Sequence, residues 1–306
     1  MKEQRLYLLG HPVGHSKSAV MYNAVYEAAG LPWRYELLDC PTEEDARAVL
    51  DGRDFLQVNI TTPYKPLAFH AADDRSGEAR LADGANVLVN RDGRLIAHNT
   101  DGAGCTGFLA QRGFSFAGSR VAVCGTGPTA RSILGACVQA GAADVLLLGR
   151  DGARARAVLD EWRACRGWLE RVAGWPAPAA RVRAASYAEA AEPGWISAAD
   201  LVVNATPLGM NAGDPAPFDA ALFQPGQWAF DCVYGHGETA FVSAARAAGC
   251  RACDGAGMLV GQAVETVHIV ARAVGGAEAG ALDAIDDDRM FQIMAEAAGF
   301  SLAFAR

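Results

Sequence analysis

Basic charge is scarce in this chain relative to acid: 27 lysines and arginines stand against 35 aspartates and glutamates, a net charge of −8 at pH 7. Such a balance excludes the electropositive footprint of a nucleic-acid binder and a general attraction to anionic membranes. Long hydrophobic runs are also missing; none approaches the length of a membrane span. Met1-Lys2-Glu3-Gln4-Arg5 precedes only a short apolar run before Gly10-His11-Pro12, too short for a signal-peptide core, so a cytoplasmic location is expected. Paired metal-type cysteines are lacking. Cys250-Arg251-Ala252-Cys253 is the one CxxC, without the second pair a structural zinc site would need. Cys40, Cys105, Cys124, Cys137, Cys165 and Cys232 are scattered, several inside apolar runs where cysteine acts as a small hydrophobe. Reduced, structural cysteines and no metal are expected. There are no internal repeats or low-complexity tracts.

What is present is 306 residues, half of them hydrophobic, enough for about two domains with a sizeable core. Strands and helices alternate, which argues for an α/β layer. Strands are expected over Leu6 to Leu9, Trp33 to Leu38 and Phe55 to Val58. Two short alternating runs, Asn86 to Asn90 and Arg94 to His98, are joined by Asp92-Gly93, a strong hairpin signal. Ser18 suits the N-cap of a helix running to about Ala29, and Thr42 with Asp45 forms a capping-box-like start for Glu43 to Leu50. A helix from Gly102 to Gln111 leads to a strand over Arg120 to Cys124, a glycine-rich turn, a helix to Gln139 and a strand over Asp144 to Leu148. This order is a βαβ unit. Strands over Asp200 to Asn204 and Trp228 to Val233 follow, then helices over Glu238 to Ala248, Gly255 to Val274 and from Asp286 onward. Arg166 to Ala185 has weak periodicity and reads as an insertion or long connection. The expected fold is therefore an N-terminal α/β substrate domain plus a Rossmann-type, doubly wound dinucleotide-binding domain. The first is assigned residues 1–103 and 255–306, the second residues 104–254.

The stretch Asn59-Ile60-Thr61-Thr62-Pro63-Tyr64-Lys65 follows an apolar run and presents one lysine after a proline-bounded turn. Delivery of a lysine at the C-terminal edge of a strand suits an α/β active site, although turn lysines are commonly just exposed. Its natural partner lies in Asn99-Thr100-Asp101-Gly102, because a lysine and an aspartate held together can pass a proton to and from a hydroxyl.

Gly125-Thr126-Gly127-Pro128-Thr129-Ala130 fits G-x-G-x-x-A in the strand-to-helix context that gives the pattern meaning. Gly125 permits the tight turn, Gly127 lets backbone approach a pyrophosphate, and Ala130 lets helix and strand pack closely. The helix start offers positive potential to phosphate; Pro128 suits the first helical position but has no N–H to donate. Gly149 stands where a ribose-binding acid is usual in NAD sites, followed by Arg150, Asp151 and Arg154. Two guanidiniums favour a 2′-phosphate and so NADP. Asp151 fits a ribose hydroxyl and keeps NAD as the alternative, and the arginines also suit a solvated helix start.

Together these motifs resemble the shikimate dehydrogenase family over nearly the whole chain, from Gly10 to about Val274. Gly14-His15-Ser16-Lys17-Ser18 with Asn23 resembles the family's N-terminal substrate loop, and the Asn59–Lys65 stretch its lysine motif. Gly84-Ala85-Asn86-Val87 and Asn99-Thr100-Asp101-Gly102 resemble its next two motifs. Asn204-Ala205-Thr206-Pro207-Leu208-Gly209-Met210 resembles the loop beside the cofactor. Asp231-Cys232-Val233-Tyr234 and the stretch from Asp254 to Gln262 resemble the closing motifs. The resemblance implies a reversible NADP-linked oxidation of shikimate to 3-dehydroshikimate, with quinate or an amino-substituted analogue as alternative substrate. A paralogue that keeps the fold with little activity is the alternative from another class.

By matching positions, the resemblance makes Lys65 and Asp101 the catalytic pair. Ser16 and Ser18 would bind the carboxylate, and Thr61, Asn86 and Gln262 the ring hydroxyls, with Asn59 and Tyr234 nearby. Gly125 to Ala130, Arg150, Arg154 and Thr206 would hold the nucleotide, with Cys232 and Gly255 by the nicotinamide. The implied partner is a small polyhydroxy cyclohexene carboxylate, bound by a monomer or homodimer. Short neutral donors and acceptors suit such a ligand. The chain departs from the family pattern at Ala19 (commonly proline), Tyr22 (frequently histidine), Thr126 and Pro128, Gly149 (usually asparagine) and Gly235-His236-Gly237.

Overall fold

The computed structural model describes residues 4–176, 178–192 and 194–302. It divides into two compact units, one of residues up to Gly104 together with Leu259–Ser301, the other Cys105–Met258. The chain leaves the first unit inside the helix Asp101–Gln111 and re-enters it inside the helix Ala256–Val274. Among the described residues no helix is long and apolar enough to cross a membrane.

The first unit is built on strands β1 (Arg5–Gly10), β2 (Arg34–Asp39), β3 (Gln57–Ile60), β4 (Asp74–Arg75), β5 (Val87–Arg91) and β6 (Arg94–His98), in the order β2-β1-β3-β5-β6-β4. β1 pairs parallel with β2 and β3, whereas β5 runs antiparallel to β3 and β6. The hairpin forms at Asp92-Gly93, both with positive φ, as a tight two-residue turn requires. One face buries Leu9, Leu50, Phe55, Val58, Ile60, Leu88 and Leu95, an apolar mass that stabilises in proportion to the area it removes from water. The helix Glu43–Gly52 starts with a complete Thr42–Asp45 capping box. Contrary to expectation, Ser18 is not the N-cap of the first helix: Lys17 occupies that position, and Ser18 is the first residue of the helix Ser18–Ala28. The Ser16 hydroxyl takes the local role instead, accepting from the Ser18 amide.

The second unit carries β7 (Arg120–Cys124), β8 (Asp144–Gly149), β9 (Arg181–Ser186), β10 (Leu201–Asn204), β11 (Trp228–Asp231) and β12 (Arg251–Cys253), in the order β12-β11-β10-β7-β8-β9. Every neighbouring pair is parallel. β10 and β11 are buried along their whole length, as strands covered on both faces must be. From β7 the chain builds outward through β8 and β9, then returns to β10 on the other side. The carboxyl ends of β7 and β10 therefore flank a topological switch point, where open α/β sheets bind ligands.

Arg166 to Ala185 is not an insertion. A helix spans Gly152–Ala173, and β9 is the edge strand of the sheet. Ala155, Val158, Leu159, Trp162 and Leu169 are buried on the helix. Arginines on its other face dilute the apolar period, and Arg183 within the strand is held by Asp144 at 2.7 Å. The short helices Lys65–Ala71, Gly77–Ala82, Tyr187–Ala191 and Gly276–Asp283 were also not expected.

Candidate active site

In the first unit, β3 ends at Ile60 and the next residues turn through a cis Thr62–Pro63 bond. The Tyr64 amide donates to the Thr61 carbonyl at 2.9 Å, and the Tyr64 hydroxyl anchors the turn on the Cys40 carbonyl at 2.7 Å. Lys65 is not carried on the strand's edge; it opens the helix Lys65–Ala71. Asp101 opens the helix Asp101–Gln111, where the free N–H groups favour a carboxylate. Its own amide donates to Asn99 Oδ1 at 3.1 Å, while Asn99 Nδ2 holds the Gly84 carbonyl at 2.9 Å.

The two helix starts bring Lys65 Nζ and Asp101 Oδ2 to 2.5 Å, with side chains 17% and 7% exposed. Water is largely displaced from the contact, so the charge-assisted bond is strong. Asn86 Nδ2 donates to Asp101 Oδ1 and to Thr100 Oγ1, each at 2.9 Å, and lies 3.3 Å from Gln262 Oε1. Asn86 Oδ1 in turn accepts from the Thr100 amide. Gln262 reaches this cluster because its helix packs tightly on the other: a Cβ at Gly104 would lie 2.4 Å from the Gln262 nitrogen, and one at Gly261 would lie 2.9 Å from the Gly104 carbonyl. Thr266 completes the group, 3.5 Å from Thr100 Oγ1.

Five of the expected residues thus share one hydrogen-bonded network: Lys65, Asp101, Asn86, Gln262 and, through the Asn86 carbonyl, Asn59. Thr61 sits half-buried on the lysine turn. Its methyl packs on Gly10, where a Cβ would come within 2.2 Å of it. Ser16, on the loop after β1, donates its hydroxyl at 3.1 Å to that of Ser18 at the start of the helix Ser18–Ala28. Tyr234 belongs to the second unit, where it is half-buried. Thr100, Thr266, Tyr35 and Gln57 were not anticipated. The available signal was a polar residue inside an apolar run, as Gln57 is in Phe55-Leu56-Gln57-Val58.

In the second unit, Gly125 leaves β7 with φ +122, and a Cβ there would lie 2.7 Å from the Ala205 carbonyl. Glycine is required by both the backbone angle and this approach. Gly127 caps the helix Pro128–Gln139, with Pro128 in its first turn, and the space where its Cβ would stand is open. Ala130 is fully buried against the turn. Arg150 and Arg154 are exposed. Asp151 caps the helix Gly152–Ala173, accepting from the Ala153 and Arg154 amides at 2.8 and 3.2 Å. Both bonds end on Oδ1.

The loop after β10 is organised by Asn204, whose Oδ1 accepts from both the amide and hydroxyl of Thr206 at 3.1 and 2.7 Å. Asn204 Nδ2 donates to Asp231 Oδ1 at 3.0 Å. Asp231, fully buried, also accepts from the Val233 amide at 3.0 Å and the Thr239 hydroxyl at 2.6 Å. Burial pushes its carboxyl up to about 6 despite these donors. Cys232 is half-buried, and Gly255 packs on its carbonyl so closely that a Cβ would come within 2.3 Å.

Residues 8–88 match the model of the shikimate dehydrogenase substrate binding domain. The chain is 37% identical to the shikimate dehydrogenase (NADP(+)) of Rubrobacter xylanophilus over 262 residues, 84% of this chain and 87% of that protein. Among solved structures it superposes with a TM-score of 0.73 on the shikimate 5-dehydrogenase of Thermus thermophilus in complex with NADP(H) and shikimate. That match is 30% identical and covers 96% of this chain and 99% of the other. The quinate dehydrogenase of Corynebacterium glutamicum in complex with NAD gives 0.75 at 27% identity, covering 96% and 100%. With a shared core of motifs, a two-unit α/β fold and this identity along most of both chains, the protein belongs to the shikimate dehydrogenase family.

Proposed function

We propose that the protein is an NADP-dependent oxidoreductase that interconverts shikimate and 3-dehydroshikimate. The observation that carries this reading is the Lys65–Asp101 contact inside a shell of neutral amides and hydroxyls. In the oxidative direction a hydride leaves the ring carbon for the nicotinamide, and the hydroxyl on that carbon loses its proton to Lys65 in its amine form. Asp101 holds the hydroxyl and the resulting ammonium together, and the new C=O is the product ketone. A positioned acid–base group of this kind contributes roughly 10²–10⁴-fold. Asn86, Thr61 and Gln262 hold ring hydroxyls with Asn59 beside them, and Ser16 and Ser18 take the carboxylate. The first unit is the substrate side; the second holds the nucleotide, with its phosphates at the start of the helix Pro128–Gln139. Arg150 and Arg154 take the 2′-phosphate. Asp151 Oδ1 caps the following helix, and the two guanidiniums, Arg150 and Arg154, are the groups that favour NADP over NAD.

The test is a steady-state matrix of shikimate and quinate against NADP+ and NAD+, with Lys65→Ala as the chemical control. Shikimate with NADP+ is expected to give the highest kcat/KM, and Lys65→Ala to lower kcat by about 10²-fold or more. Unchanged turnover in that variant removes Lys65 from the chemistry. A higher kcat/KM for quinate moves the substrate to quinate.

A further inference from the structure

Asn59 sits at the centre of β3, 4% exposed, and its two amide ends are treated very differently. Its Oδ1 accepts from the Tyr35 hydroxyl at 2.7 Å and from Gln57 Nε2 at 2.6 Å. A carbonyl oxygen has two lone pairs, so these donors saturate it. Its Nδ2 faces the Asn86 carbonyl at 3.4 Å. That carbonyl is fixed by β-sheet pairing, since it also accepts the Ile60 amide at 2.7 Å. Turning the Asn59 amide over would set oxygen against oxygen there. The carboxamide therefore has one orientation, with N–H groups toward Asn86, whose side chain grips Asp101.

Gln57 is an expensive way to fill its position. It is fully buried in a strand hydrogen-bonded on both sides, and its Oε1 makes no hydrogen bond. An unpaired buried acceptor is destabilising, and an apolar side chain would avoid it. Among the described residues, the one bond Gln57 makes from its side chain is the one to Asn59. Tyr35 is supported from behind: Tyr22 stacks on its ring at 4.4 Å and 11°. Tyr22 stands where the family frequently has histidine, so this departure buttresses the ring whose hydroxyl holds Asn59.

We propose that Tyr35 and Gln57 are positioning residues that hold Asn59 as an obligate N–H donor on the Asn86–Asp101 side of the site, so that this position selects a ligand oxygen and rejects a donor. The ligand class is a ring bearing a hydroxyl or ketone oxygen at that point. A protonated amino substituent there would meet N–H against N–H. This inference rests on the dehydrogenase reading above and extends it to residues that do not touch the substrate.

The experiment measures KM and kcat for shikimate and KM for NADP+ in the wild type, Tyr35→Phe, Gln57→Met and the double variant, each also in an Asn59→Ala background. Phenylalanine keeps the stack on Tyr22, and methionine keeps the volume of Gln57, so at least one single variant is expected to fold. Each single change is expected to raise KM for shikimate about three- to tenfold, and the double about 30-fold, consistent with one or two ordinary hydrogen bonds. Expected kcat stays within about threefold, and KM for NADP+ does not move, because orientation of a binding group acts on ground state and transition state alike. In the Asn59→Ala background the same substitutions are expected to leave KM unchanged. Equal KM increases with and without Asn59, or no increase in the double variant, overturn the positioning role while leaving the dehydrogenase reading intact. A wild type that turns over no shikimate overturns both.

Discussion

Asp231 is the buried group whose titration has the most legible consequence. It is fully buried, and its carboxyl is raised from the ordinary 3.8 to about 6, first by desolvation and further by the nearby Asp254, against donors from Thr239, Val233 and Asn204. The sign follows from linkage. Below pH 3.8 both the folded and unfolded chains hold the proton, and the group imposes no penalty. Between 3.8 and about 6 the unfolded chain releases its proton while the folded chain keeps it, so stability falls as pH rises. Above about 6 both are ionised, and the penalty stays at its full size, about 3 kcal/mol for a shift of this magnitude. Asp231→Asn keeps Oδ1 as acceptor for Asn204 and Val233 and turns an N–H2 toward Thr239 Oγ1, which can accept it. The variant is therefore expected to match the wild type near pH 4 and to exceed it by about 1–3 kcal/mol at about pH 7.5. Urea unfolding of both proteins, followed by tryptophan fluorescence from about pH 4 to 8, yields the difference curve, in which all other carboxylates cancel. A flat difference across that range refutes the assignment of this titration to Asp231.

Arg150→Ala is expected to raise KM for NADP+ about tenfold or more, the weight of a charge-assisted phosphate contact, while KM for NAD+ changes less than about twofold. Equal losses on both nucleotides would remove the guanidinium from 2′-phosphate recognition. A Cβ at Gly149 would lie 3.2 Å from Thr126 Cγ2, so Gly149→Ala is expected to cost about 1 kcal/mol of stability, the scale of mild overpacking. In a Thr126→Ala background that cost is expected to vanish; thermal melts of the four proteins check the coupling.

The parts of the fold that could be read from sequence were those in which the local signals agreed with one another. β7, the glycine-rich turn and the helix Pro128–Gln139 were legible because an apolar run, a left-handed glycine and a proline in the first turn each point to the same element. The helix Gly152–Ala173 and β9 were obscured where arginines stand among the apolar positions; their stems pack while their heads pair, as Arg183 does with Asp144. The short helix Lys65–Ala71 was hidden by its proline, which reads as a turn but is equally suited to a first turn. At the site, Lys65 and Asp101 could be paired because each follows a strand in a distinctive motif. Tyr35, Gln57, Thr100 and Thr266 could not. Their contribution comes from hydrogen bonds across 24, two, 14 and four residues of chain, formed only once the sheet and helices are in place.

Two of the chain's departures from its family fall where one side chain answers another. Thr126 sits in a turn usually richer in smaller residues, and Gly149 provides the room for its methyl. Tyr22 replaces a frequent histidine and is absorbed by stacking on Tyr35, with its buried hydroxyl beside Thr266 and Asn59. In both pairs the compensation is local packing, so neither the sheet order nor the Lys65–Asp101 contact has to change. Divergence of this kind acts on the packing of the glycine-rich turn and on the surroundings of Asn59, and leaves the Lys65–Asp101 contact in place. Exchanging one member of either pair without the other is therefore expected to cost stability first.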